Sequence, residues 1–150
     1  MPKIFSVVCN DIVIAVQADI FLLLGGSERA IEIISFSLSQ ALDVGVGEKE
    51  MLGIECNRYT DDIAAGSTAT EQPHVIGDAS DVEVGINGFG SGTVTTVFSD
   101  TFNVQIGYLW RPAPRDRHWI RGSAERWGVR LEAPVDPLTH RGTLTWAEHG

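Results

Sequence analysis

Cysteine is scarce in this chain: Cys9 and Cys56 are the only two in 150 residues. Neither belongs to a CxxC pair, which argues against zinc ligation. They fall in separate predicted strands. The favoured reading is two buried thiols acting as small hydrophobes, and one disulfide is the counter-reading. Long apolar runs are also missing. Stretches such as Ile20–Leu24 fall far short of a membrane span. Asp11, Gln17 and Asp19 interrupt the apolar segment after Met1-Pro2-Lys3, and no small-residue cleavage site follows, so no signal peptide is expected. The expectation is a soluble chain made in a cytoplasm. No stretch carries the apolar stripe of an amphipathic helix. The four histidines, His74, His118, His140 and His149, are dispersed, so no metal signature forms. Excess base is lacking too: a net charge of −9 argues against nucleic-acid binding, which needs clustered Lys and Arg.

What is present is apolar enough to fold, at 43% hydrophobic and 21% charged residues, which suits one globular domain spanning 1–150. The charge is uneven. Residues 1–100 hold 15 acids and 4 bases, whereas residues 101–150 hold 5 acids and 7 bases. Six arginines fall between positions 111 and 130, and all four tryptophans (Trp110, Trp119, Trp127, Trp146) lie in the same third of the chain. Arginine interleaved with tryptophan suits a protein interface, where both are enriched. A solvated face with local acids such as Asp116 and Glu125 is the plainer reading. Arg111, Arg115, Arg117, Trp119 and Arg121 are the candidate interface residues.

Alternation with period two dominates the pattern. Lys3–Cys9 and Ile12–Val16 read as strands, and Ile20–Leu24 as a continuous apolar strand closed by Gly25-Gly26-Ser27. In Arg29–Gln40, Ile34, Phe36 and Leu38 point one way and Ser35, Ser37 and Ser39 the other. Glu50–Tyr59 follows after a loop over 41–49, and the two strands are expected to pair antiparallel across it. Residues 60–92 read as a long irregular stretch, an arm or surface loop, with Val82, Val84 and Ile86 as one short strand. Thr93–Phe98 is a strand, and Ser99-Asp100 reads as a turn. Phe102, Val104, Ile106, Tyr108 and Trp110 continue the alternation. Pro112 and Pro114 make 111–117 an extended crossing. Trp127–Leu131 and Arg141–Ala147 are strands, separated by a loop over 134–140. The class is all-β: a single antiparallel β-sandwich, of jelly-roll or Greek-key type.

Catalytic motifs are absent from the string. The Gly88–Gly92 turn has no following lysine or helix and is no phosphate loop. There is no Gly-x-Ser-x-Gly elbow. Asp61-Asp62 lacks the alternating acids of a calcium loop. No residue nominates itself as a catalyst, and no cofactor is implied. Trp119 and Trp146, if exposed, would suit stacking on sugar, so a carbohydrate-binding module is one alternative; the core reading of both is the commoner.

The order of segments resembles a family. Ala18-Asp19-Ile20-Phe21, Leu38-Ser39-Gln40 with Asp43, and Glu50-Met51-Leu52 come first. Phe102-Asn103-Val104-Gln105, then Tyr108-Leu109-Trp110 with Pro112 and Pro114, follow. Glu125–Leu131, Ala133-Pro134, and Gly142–Trp146 before Glu148 close the pattern. This is similar to small β-rich proteins encoded among the structural genes of tailed bacteriophages. The resemblance implies a non-enzymatic virion component, a capsid decoration (cement) protein, with a tail or head-fibre component as the alternative. It implies a homo-oligomer, commonly a trimer, on the capsid surface after assembly in the host cytoplasm. Its partners would be the major capsid protein or other virion proteins, with no nucleic acid and no membrane. The stretch 60–92 is longer and less Gly/Thr-rich than that family's pattern.

Overall fold

The computed structural model describes residues 1–41, 51–60 and 67–150. They form twelve strands: β1 Lys3–Ile14, β2 Ala18–Leu24, β3 Ala30–Gln40, β4 Met51–Tyr59, β5 Ser67–Thr68, β6 Gln72–Pro73, β7 Glu83–Gly88, β8 Val94–Asn103, β9 Tyr108–Trp110, β10 Trp119–Arg121, β11 Arg126–Leu131 and β12 Leu138–His149. Two six-stranded sheets pack together as an all-β sandwich. Sheet A has the order β10-β3-β12-β1-β6, with β9 also on β3; sheet B has the order β5-β7-β2-β11-β4-β8. Every pairing is antiparallel.

Alternation places the core between the sheets. From sheet A it takes Phe5, Val7, Cys9, Phe36, Leu38, Leu144 and Trp146; from sheet B it takes Ile54, Cys56, Trp127, Val129 and Leu131. Aromatic rings pack within sheet A, and the Phe36–Trp127 pair bridges the two layers. Phe36 lies 5.3 Å from Trp110 and 6.4 Å from Trp127, and Phe5 stacks on Trp146 at 6.0 Å. Each such pair adds about 0.5–1.5 kcal/mol to the area buried. The continuous apolar strand β2 is buried on both faces, as its lack of alternation foretells. Both cysteines are free and buried, in opposite sheets. Burial pushes the Cys9 thiol up to about 12 and Cys56 higher still, which keeps both protonated.

Several expectations need correction. β3 and β4 do not pair. β3 runs along β12 over ten residues, and β4 lies between β11 and β8 in the other sheet. A strand with one apolar face buries it equally well beside a neighbour or opposite one, so alternation does not choose between them. Lys3–Cys9 and Ile12–Val16 belong to one strand to Ile14, kinked by a bulge between Cys9 and Ile12 with Asp11 at φ 52°. A second bulge, opposite Thr145/Trp146, shifts the phase of β3. Ile31 and Ile33 then face inward before it and Phe36 and Leu38 after it, leaving Ile34 half-buried.

Ser99-Asp100 is no turn: β8 continues through it, paired with Ile54 and Glu55. The reversal comes at Asn103, whose carbonyl accepts from Ile106 N and Gly107 N and whose side chain accepts from Gln105 N. Gly107 sits there at φ +80°, and an added Cβ would meet Leu38 O at 2.7 Å. The alternation over 101–110 is therefore split between β8 in sheet B and β9 in sheet A, and Ile106 is exposed. The closing strand starts at Leu138, inside the expected loop. Pro114 opens a single 3₁₀ turn, Pro114–Asp116, within the extended crossing.

The described part of the irregular stretch carries β5, β6 and β7, with Val82, Val84 and Ile86 buried as the short strand predicts. Of the predicted loop over 41–49 all but Ala41 lies outside the described residues, as does the Asp61-Asp62 pair.

Candidate functional site: a basic groove between two sheet edges

Three clusters of charged side chains are built into the sandwich, and two of them are fully committed to holding it together. The first covers the outer face of sheet B. Asp19 on β2 is wholly buried, and Arg130 on β11 is 7% exposed. Arg130 donates through Nη2 to Asp19 Oδ2 at 2.9 Å and through Nε to Oδ1 at 3.3 Å. The Tyr59 hydroxyl and Gly90 N (2.7 Å) also donate to this carboxylate. Gly90 O accepts from Arg130 at 3.0 Å, and the guanidinium lies over the Phe89 and Tyr59 rings. Burial, then the negative Asp19, raise the Tyr59 pKa. Gly90 packs so tightly on Tyr59 that a Cβ would come within 2.5 Å of the ring. The cluster pins the 88–92 turn onto the sheet.

The second cluster centres on Glu148 of β12, buried among four donors. These are Arg29 Nη1 (2.9 Å), Ser80 Oγ (2.5 Å), Asp81 N (3.0 Å) and Trp146 Nε1 (3.2 Å). It fastens residues 80–81 to sheet A.

The third is different in kind. β8 is the last strand of sheet B, and β9 and β10 lie along the outer edge of β3 in sheet A. These edges come together on one side of the sandwich. Bonds between the sheets stitch this side together: Tyr108 OH donates to Asp100 Oδ2 at 3.0 Å, Arg58 Nη2 on β4 to Trp119 O at 3.1 Å, and Trp127 Nε1 on β11 to His118 Nδ1 at 3.1 Å. A groove of about 450 Å³ opens here, lined by Arg58, Val97, Arg117, His118, Trp119, Arg121 and Glu125. Three arginines and one carboxylate, Glu125, line it, and Arg117 is paired behind it with Glu32.

Each predicted interface residue has a definite place. Arg117 donates to Glu32 Oε1 at 2.9 Å, and His149 Nε2 meets the other oxygen at 2.8 Å. Burial pushes Glu32 up, but the bonds from Arg117 and His149 outweigh it and leave its pKa lowered. Trp119 is half-buried with its ring 5.0 Å from that of His149. Arg121 is exposed; its backbone N donates to Glu125 Oε2 at 2.8 Å, and its guanidinium has no partner among the described residues. These three converge on the groove. Arg111 and Arg115 are exposed and do not line it; among the described residues Arg115, 88% exposed, meets only Asp116, at 3.5 Å. Trp146, which the sugar-binding alternative needs exposed, is entirely buried.

Sequence reasoning misses Arg58 and His118. Arg58 shares the alternation of Leu52, Ile54 and Cys56, and a charge in that register signals a face that leaves the core at its end. His118 Nδ1 lies 3.1 Å from Trp127 Nε1, an obligatory donor, so the neutral ring carries its proton on Nε2. Burial, helped by the Arg58 charge, lowers the His118 pKa and favours that neutral form. The groove thus offers N–H donors and a flat indole, a surface fitted to carboxylates and other anions. It holds no nucleophile paired with a base. Among the described residues no group of three His, Cys, Asp or Glu side chains is placed to hold a metal ion. No family model, no curated protein and no solved structure matches this chain.

Proposed function

We propose that the protein is a non-enzymatic structural component of a tailed-bacteriophage virion, a capsid decoration protein that binds and stabilises the head shell as a homo-oligomer, with a trimer favoured. The reading joins the segment resemblance to one observation: a basic, Trp-bearing groove at the open edges of a chain whose net charge is −9. Proteins usually blunt a free sheet edge with lysine, proline or a covering element. β8 carries neither residue, and along its ten positions only Phe102 is buried. No described strand pairs with its outer edge. A decoration protein needs a rigid body, edges completed by neighbours, and many weak contacts that add through multivalency. The partner in this reading is the major capsid protein, with further copies of this chain at the groove.

The test is quantitative mass spectrometry of purified particles, counting copies of this chain per copy of the shell protein. Near-equal stoichiometry is the expected result. A handful of copies would move the protein to the tail or head fibre, and complete absence would remove it from the virion.

A further inference from the structure

The sheet order sets two sides of the sandwich as far apart as the fold allows. One is the β8–β10 side with the groove. The other is formed by β6 at the end of sheet A and β5 with β7 at the end of sheet B. Their charges are opposite. The groove side is basic on balance: Arg58, Arg121 and Arg117, which is paired with Glu32, line it with Glu125, Arg111 is exposed nearby on the same edge of β3, and Asp100 is exposed on β8. The far side carries Glu71 just before β6, Asp78 and Asp81 in the segment that follows, and Glu83 at the start of β7. Among the described residues only Asp78 meets a surface base there, Lys3 at 3.1 Å, while Arg29 is turned onto the buried Glu148. Glu71 and Glu83 have no partner among the described residues.

Both sides also expose apolar side chains. On the far side Ile76 is fully exposed at a turn beside Val75, next to a cleft of about 440 Å³ lined by Met1, Ile4 and His74. On the groove side Val94, Val97 and Leu109 are exposed. Each side thus matches the other in charge and apolar character, and neither matches itself. Two basic sides brought together by a two-fold axis would repel.

We propose that the acidic 71–83 side of one copy docks into the basic β8–β10 groove of a second copy, head to tail. The turn bearing Ile76 meets Val94 and Val97, and the acids meet Arg58 and Arg121. A head-to-tail contact closes into a ring when its rotation permits, and otherwise extends as a filament. This rests on the self-association already proposed and names its surfaces; it does not depend on the capsid.

The test uses two full-length variants altered at exposed positions. Arg111→Glu/Arg121→Glu makes both sides acidic; Glu71→Lys/Glu83→Lys makes both basic. Sedimentation velocity should show wild-type chains associating with rising concentration and less tightly as salt increases. Each variant alone should lose about tenfold or more in association constant, and an equimolar mixture should associate again. Matching circular dichroism and melting curves check that both variants fold. A wild-type chain that stays monomeric, variants that associate as the wild type does, or a mixture that does not recover would each overturn the docking mode. None of these results changes the copy number found in particles, so failure here is distinct from failure of the virion reading.

Discussion

Arg130 and Arg121 are chemically identical and sit nine positions apart, yet they do opposite work. Arg130 is enclosed by a carboxylate, a carbonyl and two aromatic rings. Arg121 stands at the rim of a groove, its guanidinium without a partner among the described residues. Taking an ion out of water costs several kcal/mol unless geometry and hydrogen bonds compensate. At Arg130 the compensation comes from inside the chain, so the charge stabilises a particular arrangement of β2, β4, β11 and the 88–92 turn. At Arg121 it comes from solvent and is open to exchange for a partner's carboxylate. An arginine's role here follows from who satisfies it.

Breaking the internal pair should have the largest effect. Arg130→Ala leaves Asp19 buried without its counter-ion, and chemical denaturation should show a loss of about 3–5 kcal/mol. Amide exchange should rise at Gly90, whose N–H depends on the same carboxylate. A loss under 1 kcal/mol would mean that the cluster is solvated and that the contrast with Arg121 is false.

An intermediate effect should come from acid. His140 is fully buried with both ring nitrogens unpartnered, and burial lowers its pKa; His118 is lowered as well. Both folded rings favour the neutral form, whereas the unfolded chain takes up protons at the ordinary value of 6.5. Their contribution is therefore complete above that pH and is lost as pH falls below it, by at most about 1.4 kcal/mol per pH unit for each ring. Denaturation midpoints from pH 7.5 to 5, settings chosen around a histidine pKa of about 6.5, should decline in this way. His140→Phe should flatten part of the slope; an unchanged slope would show that this ring does not carry it.

The smallest effect should be Arg121→Ala, within about 0.5 kcal/mol of wild type in stability. Its consequence should appear in association alone. A large loss of stability there would place Arg121 with Arg130 as a structural arginine.

The strands were largely legible in the chain, because period-two alternation reports which face is dry. Trp127, Val129 and Leu131 are buried as their spacing demands. Alternation does not report the neighbour, which is why β3 and β4 read as a hairpin and lie in separate sheets. Nor does it report bulges: one extra residue in β3 reverses the sense of Ile34. Ser99-Asp100 has turn chemistry, but pairing with β4 overrides it, while Asn103 and Gly107 make the turn that a continuous alternation concealed. Of the groove, Arg117, Trp119 and Arg121 were visible as one cluster. Arg58 enters from another strand in another sheet, and no local pattern joins them. The Asp19–Arg130 pair spans 111 positions and looks in the sequence like two ordinary charges.

The placement of β11 and β12 has a consequence for how the chain is made. Each is an inner strand, β11 between β2 and β4 and β12 between β1 and β3, and both come after every strand that they join. During synthesis the earlier strands leave the ribosome before the strands that separate and pair them exist. At about 5–20 residues per second the wait lasts several seconds. Until then β2 has β7 on one side and β3 has β9 and β10, and the other edge of each stays open. Contacts this distant along the chain also make for slow closure. Open apolar edges of this kind are aggregation-prone, so the yield in a cell is expected to rise with chaperone supply more than the finished sandwich's stability would suggest.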